Sequence, residues 1–207
     1  MIEKIQSLKT FRYSSSGNRN ARILLYVLHG YGQLAPYFIR KFNDLEDHYI
    51  IAPEGMHRFY LNGTNGRVGA SWMTKEERLD DIEDNCQWLN KLHEHIIEDN
   101  QFDKIIVLGF SQGGATAARW FFSDQMRADH LIMWASVFPP DLDSKSVVLE
   151  STKKNAFVLG TKDEYYNDVT HKESLLYYSE LNFQTFTFEG THDINIDILN
   201  KVLNELK

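Results

Sequence analysis

Ile105-Ile106-Val107-Leu108-Gly109-Phe110-Ser111-Gln112-Gly113-Gly114 begins with four apolar β-formers and closes with Gly-x-Ser-x-Gly. The next eight residues, Ala115 to Phe122, read as helix. Strand, tight turn and helix in that order are the setting of a nucleophile elbow, which lifts a serine hydroxyl clear of a sheet. Such a turn holds strained backbone, and a side chain at Gly109 or Gly113 would crowd the strand–helix crossing. On this reading Ser111 is the reactive residue, and the backbone N–H of Gln112 points at the oxygen of the carbon under attack. Taken alone, the motif also fits an ordinary strand–helix turn whose glycines serve packing only. Partners elsewhere in the chain decide between the two.

Working outward, Ile23 to Leu28 is a continuous apolar run that ends at His29-Gly30-Tyr31-Gly32, and His48 to Pro53 is a shorter one stopped by proline. Runs without polar alternation belong to strands buried on both faces, hence to a parallel interior sheet. Leu131 to Phe138 and Ala156 to Gly160 repeat the pattern, and Phe183 to Phe188 alternates. Helices are expected over 169–181 and in the last segment, where Ile194, Ile198, Leu199, Val202 and Leu203 recur at helical spacing. Thr74-x-x-Glu77 has the form of a capping box opening a further helix, with Leu79, Ile82, Cys86, Leu89 and Ile96 facing inward. Residues 2–13 read as a first strand running into a turn at 14–18, and 53–73 as a long loop, a length that is more often functional than idle. Strands alternating with helices imply an α/β domain with helices on both faces of a mostly parallel sheet, one domain over residues 1–207.

The 207 residues are 43% hydrophobic and 13% aromatic, enough for a sizeable core. The net charge of −7 offers no basic footprint for nucleic acid or an anionic membrane. No apolar run approaches the ~20 residues that span a bilayer, and no basic-then-apolar segment resembles a signal peptide. The single cysteine, Cys86, forms no internal disulfide. A cytoplasmic protein without membrane insertion is the expectation.

Four features fall at the carboxyl ends of different strands, where open α/β sheets collect reactive groups: the His29–Gly32 loop, Ser111, Asp163 and His192. A serine hydroxyl needs a base within hydrogen-bond reach, and the imidazole of His192, a type with pKa near 6.5, suits that task. Asp163 would hold the other ring nitrogen; Glu164 and Asp168 compete for that place, but Asp163 stands right at the strand end. The backbone N–H groups of Tyr31 and Gln112 would form an oxyanion hole. His29 is read as bracing its loop by hydrogen bonding. His93 and His95 are two residues apart on a helix, diverge, and are read as surface residues, so no metal is expected.

With these residues in view, the sequence resembles the α/β-hydrolase superfamily, specifically the compact carboxylesterase/phospholipase group that includes acyl-protein thioesterases. The resemblance rests on His29-Gly30-Tyr31-Gly32, Gly109-Phe110-Ser111-Gln112-Gly113-Gly114, Gly160-Thr161-Lys162-Asp163 and Gly190-Thr191-His192-Asp193, with Gly69 to Thr74 also similar to small bacterial esterases. It implies hydrolysis of carboxylic esters or thioesters through an acyl-enzyme, without a cofactor. The loops associated with long-acyl binding are short here, and the interval from Phe138 to Ala156 cannot hold a large cap. An open site for small or medium acyl esters is therefore expected, with Trp72, Met73, Trp134, Phe138 and Tyr165 as substrate-contacting walls and Tyr31, Met133 and Tyr166 as further candidates. The alternatives are a thioesterase or lysophospholipase-type hydrolase, which paired oxygen and thio esters would separate, and a non-catalytic binding protein on the same scaffold, which would fail to label with a fluorophosphonate. Dimerisation through an edge strand or apolar loop stays open.

Overall fold

The computed structural model describes residues 2–123, 125–143 and 154–206. Among them, seven strands form one sheet in the order β1-β3-β2-β6-β7-β8-β9: β1 (Tyr13–Gly17), β2 (Ile23–Leu28), β3 (His48–Pro53), β6 (Lys104–Phe110), β7 (His130–Trp134), β8 (Asn155–Gly160) and β9 (Phe183–Phe188). Every neighbouring pair is parallel except β1 with β3. Strands β3, β7 and β8 are buried at every position and β2 at all but its first, so both faces of the sheet are covered. That is the condition the uninterrupted apolar runs imply. The helices are α1 (Ala35–Phe38), α2 (Arg78–Ile97), α3 (Gln112–Phe121), α4 (Asp168–Glu180) and α5 (Ile196–Glu205), with a 3₁₀ turn over Ile39–Phe42. The chain has the α/β-hydrolase architecture without a large cap; residues 144–153 of the interval where a cap would insert lie outside the described ones.

Several local expectations are corrected. The first strand is Tyr13–Gly17, not residues 2–13. Its serines suit a polar edge because pairing with β3, Tyr13 opposite Pro53 through Gly17 opposite Tyr49, holds it rather than side-chain burial. Residues 53–73 contain an antiparallel hairpin of β4 (His57–Tyr60) and β5 (Val68–Ser71). The Thr74–Glu77 pattern does not cap α2. Glu77 lies at φ 50° with its carboxylate held by Lys4 at 2.6 Å, Thr74 Oγ1 accepts from the Glu76 N–H, and Leu79 is exposed. His93 is buried rather than on the surface, with Nδ1 3.0 Å from the Tyr26 hydroxyl under α2. The strand expected to reach Phe138 ends at Trp134, because Ala135 takes φ 47° and turns the chain out of the sheet.

Helix α3 is the innermost helix, with eight of its ten residues buried. Trp120 meets Tyr26 edge-on at 5.0 Å and donates to Asn90 Oδ1 at 2.8 Å, which satisfies a buried amide of α2. Its first turn lies so near β2 that a Cβ on Gly113 would stand 2.4 Å from the carbonyl oxygens of Leu28 and His29. Backbone cannot yield as a flexible side chain can. Gly113→Ala should therefore lower stability by about 2 kcal/mol, read as a reduced urea midpoint at unchanged m-value; an unshifted midpoint would mean that α3 does not rest on β2 this closely.

Candidate active site

Strand β6 delivers Ser111 at φ 53°, ψ −123°, a conformation that L-residues seldom adopt and that costs about 1–3 kcal/mol. The turn is held from both sides: Ser111 N–H donates to the Trp134 carbonyl at 2.9 Å, and Gly114 N–H donates to the Ser111 carbonyl at 3.0 Å. It closes only because Gly109 lacks a side chain, whose Cβ would fall 2.4 Å from Gly114 Cα.

Beyond β8 the chain crosses to the end of β9, where Thr161 N–H meets the Phe188 carbonyl at 2.8 Å and Lys162 N–H the Gly190 carbonyl at 2.9 Å. This crossing sets Asp163, buried at 3% exposure, beside His192: Asp163 Oδ2 lies 2.7 Å from His192 Nδ1, while Oδ1 accepts from the Tyr165 N–H at 3.0 Å. The two rivals for Asp163 are otherwise engaged. Glu164 Oε2 accepts the backbone N–H of His192 at 3.3 Å, and Asp168 opens α4. The imidazole sits between the Phe110 and Tyr165 rings, at centroid distances of 4.8 and 4.5 Å. Ser111 and His192 line one cleft of about 620 Å³.

In the loop after β2 several backbone N–H groups are already engaged. Gly30 N–H donates to Gln33 Oε1, Gln33 N–H to the Gly30 carbonyl, and Gly32 N–H to the Ala70 carbonyl at 2.8 Å. That leaves Tyr31 N–H, which meets no acceptor among the described residues, just as the N–H of Gln112 at the start of α3 meets none. Hairpin β4–β5 braces this loop through a bridge between Gln33 and Ala70. The side chain of Gln112 clamps the segment after β5, accepting from Trp72 N–H at 3.1 Å and donating to Ser71 Oγ at 3.0 Å and the Met73 carbonyl at 2.9 Å.

Three expected substrate walls lie elsewhere. Trp72 is fully buried with its indole donating to the His29 carbonyl, Trp134 is fully buried and donates to the Asp193 carbonyl, and Met73 has its sulfur near Arg119. Their indoles need buried acceptors and are spent on holding loops. Met133 is likewise enclosed in β7, and the Tyr31 ring lies outside the cleft, tilted against Phe59. Phe138, Tyr165 and Tyr166 do line the cleft. Other parts of its wall went unassigned in the sequence, among them Ser136 and Val137 after β7, and Thr170, Glu173, Ser174 and Tyr177 on α4. Spacing of three and four residues along α4 was the available signal, since it places those four on one helix face. Among the described residues, no three His, Cys, Asp or Glu side chains converge as a metal site, and no helix is long and apolar enough to cross a membrane.

The model of the phospholipase/carboxylesterase family matches residues 13–207. The chain belongs to that family. This family member is a hydrolase of ester bonds by that membership. A search of curated proteins found no match to it. Among solved structures it is similar to a carboxylesterase from Mesorhizobium loti (TM-score 0.71, 14% identity, 94% of each chain covered). It is also similar to acyl-protein thioesterase 2 of Zea mays (0.68, 15%, 94% of this chain and 97% of that one) and to esterase PE8 (0.65, 18%, 96% and 100%). At such identities the likeness shows the fold alone.

In this carboxylesterase-family chain His29 is a brace. Its Nε2 accepts the Gly55 N–H at 2.9 Å, so the proton sits on Nδ1, which donates to the Gly30 carbonyl at 2.8 Å. Full burial pushes its pKa down to about 4, and burial also lowers His93 and His130. A histidine held neutral in the fold is protonated first in the unfolded chain. Stability is therefore complete above pH 6.5 and falls as pH drops toward 4, by about 3 kcal/mol for His29 alone. Urea midpoints should decline from pH 7.5 to 5, and His29→Asn, less stable at pH 7.5, should decline less; equal slopes would contradict a neutral His29.

Proposed function

We propose that this chain is a serine hydrolase cleaving carboxylic esters of small to medium acyl groups through an acyl-enzyme. The observation that carries this reading is the 2.7 Å contact of His192 Nδ1 with Asp163, in a cleft that also holds Ser111 on its strained turn. With Nδ1 occupied, Nε2 is the ring nitrogen left to take the proton of the Ser111 hydroxyl. The freed Oγ attacks the ester carbonyl, and the N–H groups of Tyr31 and Gln112 receive the negative charge that develops on its oxygen. His192 passes its proton to the departing alcohol. Water then enters, gives a proton to His192 and attacks the acyl-enzyme; the same two donors stabilise the second oxyanion, which collapses as its bond to Ser111 Oγ breaks and His192 returns the proton to Oγ, releasing the acid. Asp163 holds the imidazole in one tautomer and stabilises its protonated form. The cleft of about 620 Å³ has the size of a small-molecule site and supports an ester as the substrate.

The test is hydrolysis of p-nitrophenyl esters from acetate to palmitate. Short and medium chains should turn over. Ser111→Ala should abolish turnover and labelling by a fluorophosphonate, and Asp163→Asn should reduce kcat by about 10⁴. Full activity in Ser111→Ala would overturn the mechanism, and activity on long chains alone would overturn the substrate range.

A further inference from the structure

The wall of the cleft away from β6 is rich in rings: Phe138, Tyr165, Tyr166, Tyr177 and Tyr178 all border it. Phe138 stands 6.4 Å from Tyr177 and 6.2 Å from Tyr178, both edge-on, so the rings form one cluster. Tyr165 and Tyr177 are exposed and free to meet a ligand. Glu173 also lines the cleft, one helical turn before Tyr177 on the same face of α4, where residues four apart are neighbours. Among the described residues Glu173 has no ion pair, and no lysine or arginine lines the cleft.

Two lysines tied to segments that carry site residues are ion-paired. Lys162, next to Asp163, binds Glu189 at 2.6 Å, and Lys41 binds Asp193, next to His192, at 2.6 Å. Lys172 adjoins Glu173 in sequence but does not line the cleft. Glu164, against the His192 N–H, adds a further negative charge. Aromatic rings beside an unpaired carboxylate, with no opposing cation, form a setting that attracts an ammonium group through ring faces and charge together. The same setting repels an anionic substrate.

We propose that the cleft selects esters carrying an ammonium group, with Glu173 as the charge-selecting residue and Tyr177 and its neighbours as the aromatic surface. This specificity rests on the hydrolase reading of Ser111 above. It involves no new chemical step: the ammonium-bearing part of the ester is held against α4 while Ser111 acts on the carbonyl.

Butyrylcholine and 3,3-dimethylbutyl butyrate have the same shape and differ in a charged nitrogen against a neutral carbon. The choline ester should show a kcat/KM about tenfold higher at low ionic strength, and the ratio should shrink as salt is added. Glu173→Gln should bring the ratio toward one. Equal rates for the two esters in the parent, or a ratio that Glu173→Gln leaves intact, would overturn the proposal while leaving the hydrolase reading standing. If neither ester reacts while p-nitrophenyl butyrate does, the hydrolase reading stands and the ammonium proposal is overturned; if p-nitrophenyl butyrate is inert too, the hydrolase reading fails. Choline binding to Ser111→Ala, measured by titration calorimetry, then decides the cation site separately: saturable binding weakened by Glu173→Gln upholds it, and no binding overturns it.

Discussion

The approach of α3 to the sheet is the constraint on which the rest depends. Gly113 lies against the carbonyls of Leu28 and His29, Gly109 lies against Gly114, and a Cβ on Gly109 or Gly113 would meet backbone within 3 Å. With the helix seated there, the chain between β6 and α3 has room for a single turn residue, and Ser111 absorbs the geometry at φ 53°. The strain persists because α3 is locked by buried packing and by the bond between Trp120 and Asn90. A serine in relaxed backbone at this place would not project from the strand end.

A second layer of contacts holds the groups around the serine. Hairpin β4–β5 takes up Gly32 and Gln33, His29 ties Gly30 to Gly55, and Trp72 reaches back to the His29 carbonyl. Gln112 joins this layer to the elbow through Ser71, Trp72 and Met73. Each of these polar side chains is buried or half-buried and partnered, and a satisfied network of that kind resists deformation better than isolated bonds. The effect is to engage the amides of Gly30 and Gly32, on either side of Tyr31.

Much of this was legible in the sequence for a physical reason. A strand buried on both faces must be apolar throughout, so β2, β3 and β8 announce themselves, and a sharp strand–helix turn needs its small residues in fixed places. Ser111 and Asp163 follow the exits of apolar strands and His192 follows the alternating β9, so local pattern placed each of them at a strand end. Edge elements were less legible. Strand β1 is made of serines held by pairing, and β4 and β5 are short strands with no apolar run to mark them. The cap at Thr74 failed because a distant lysine, Lys4, competes for the acidic group that the local pattern assigned to the helix end.

By itself the sequence determined the mostly parallel α/β sheet, its order of elements and the three residues at its strand ends, because each is encoded in the periodicity or glycine spacing of a few adjacent positions. Tertiary structure alone decided which aromatics border the cleft. Trp72 and Trp134 are the same kind of residue in the sequence as Tyr165 and Tyr177. Whether a ring fills the core, braces a loop or faces a substrate depends on which acceptors and which elements meet it in space. Placing Glu173 in the cleft needed the same information, since its surroundings come from Phe138 and Tyr165, 35 and 8 residues away, which meet α4 only in the folded chain.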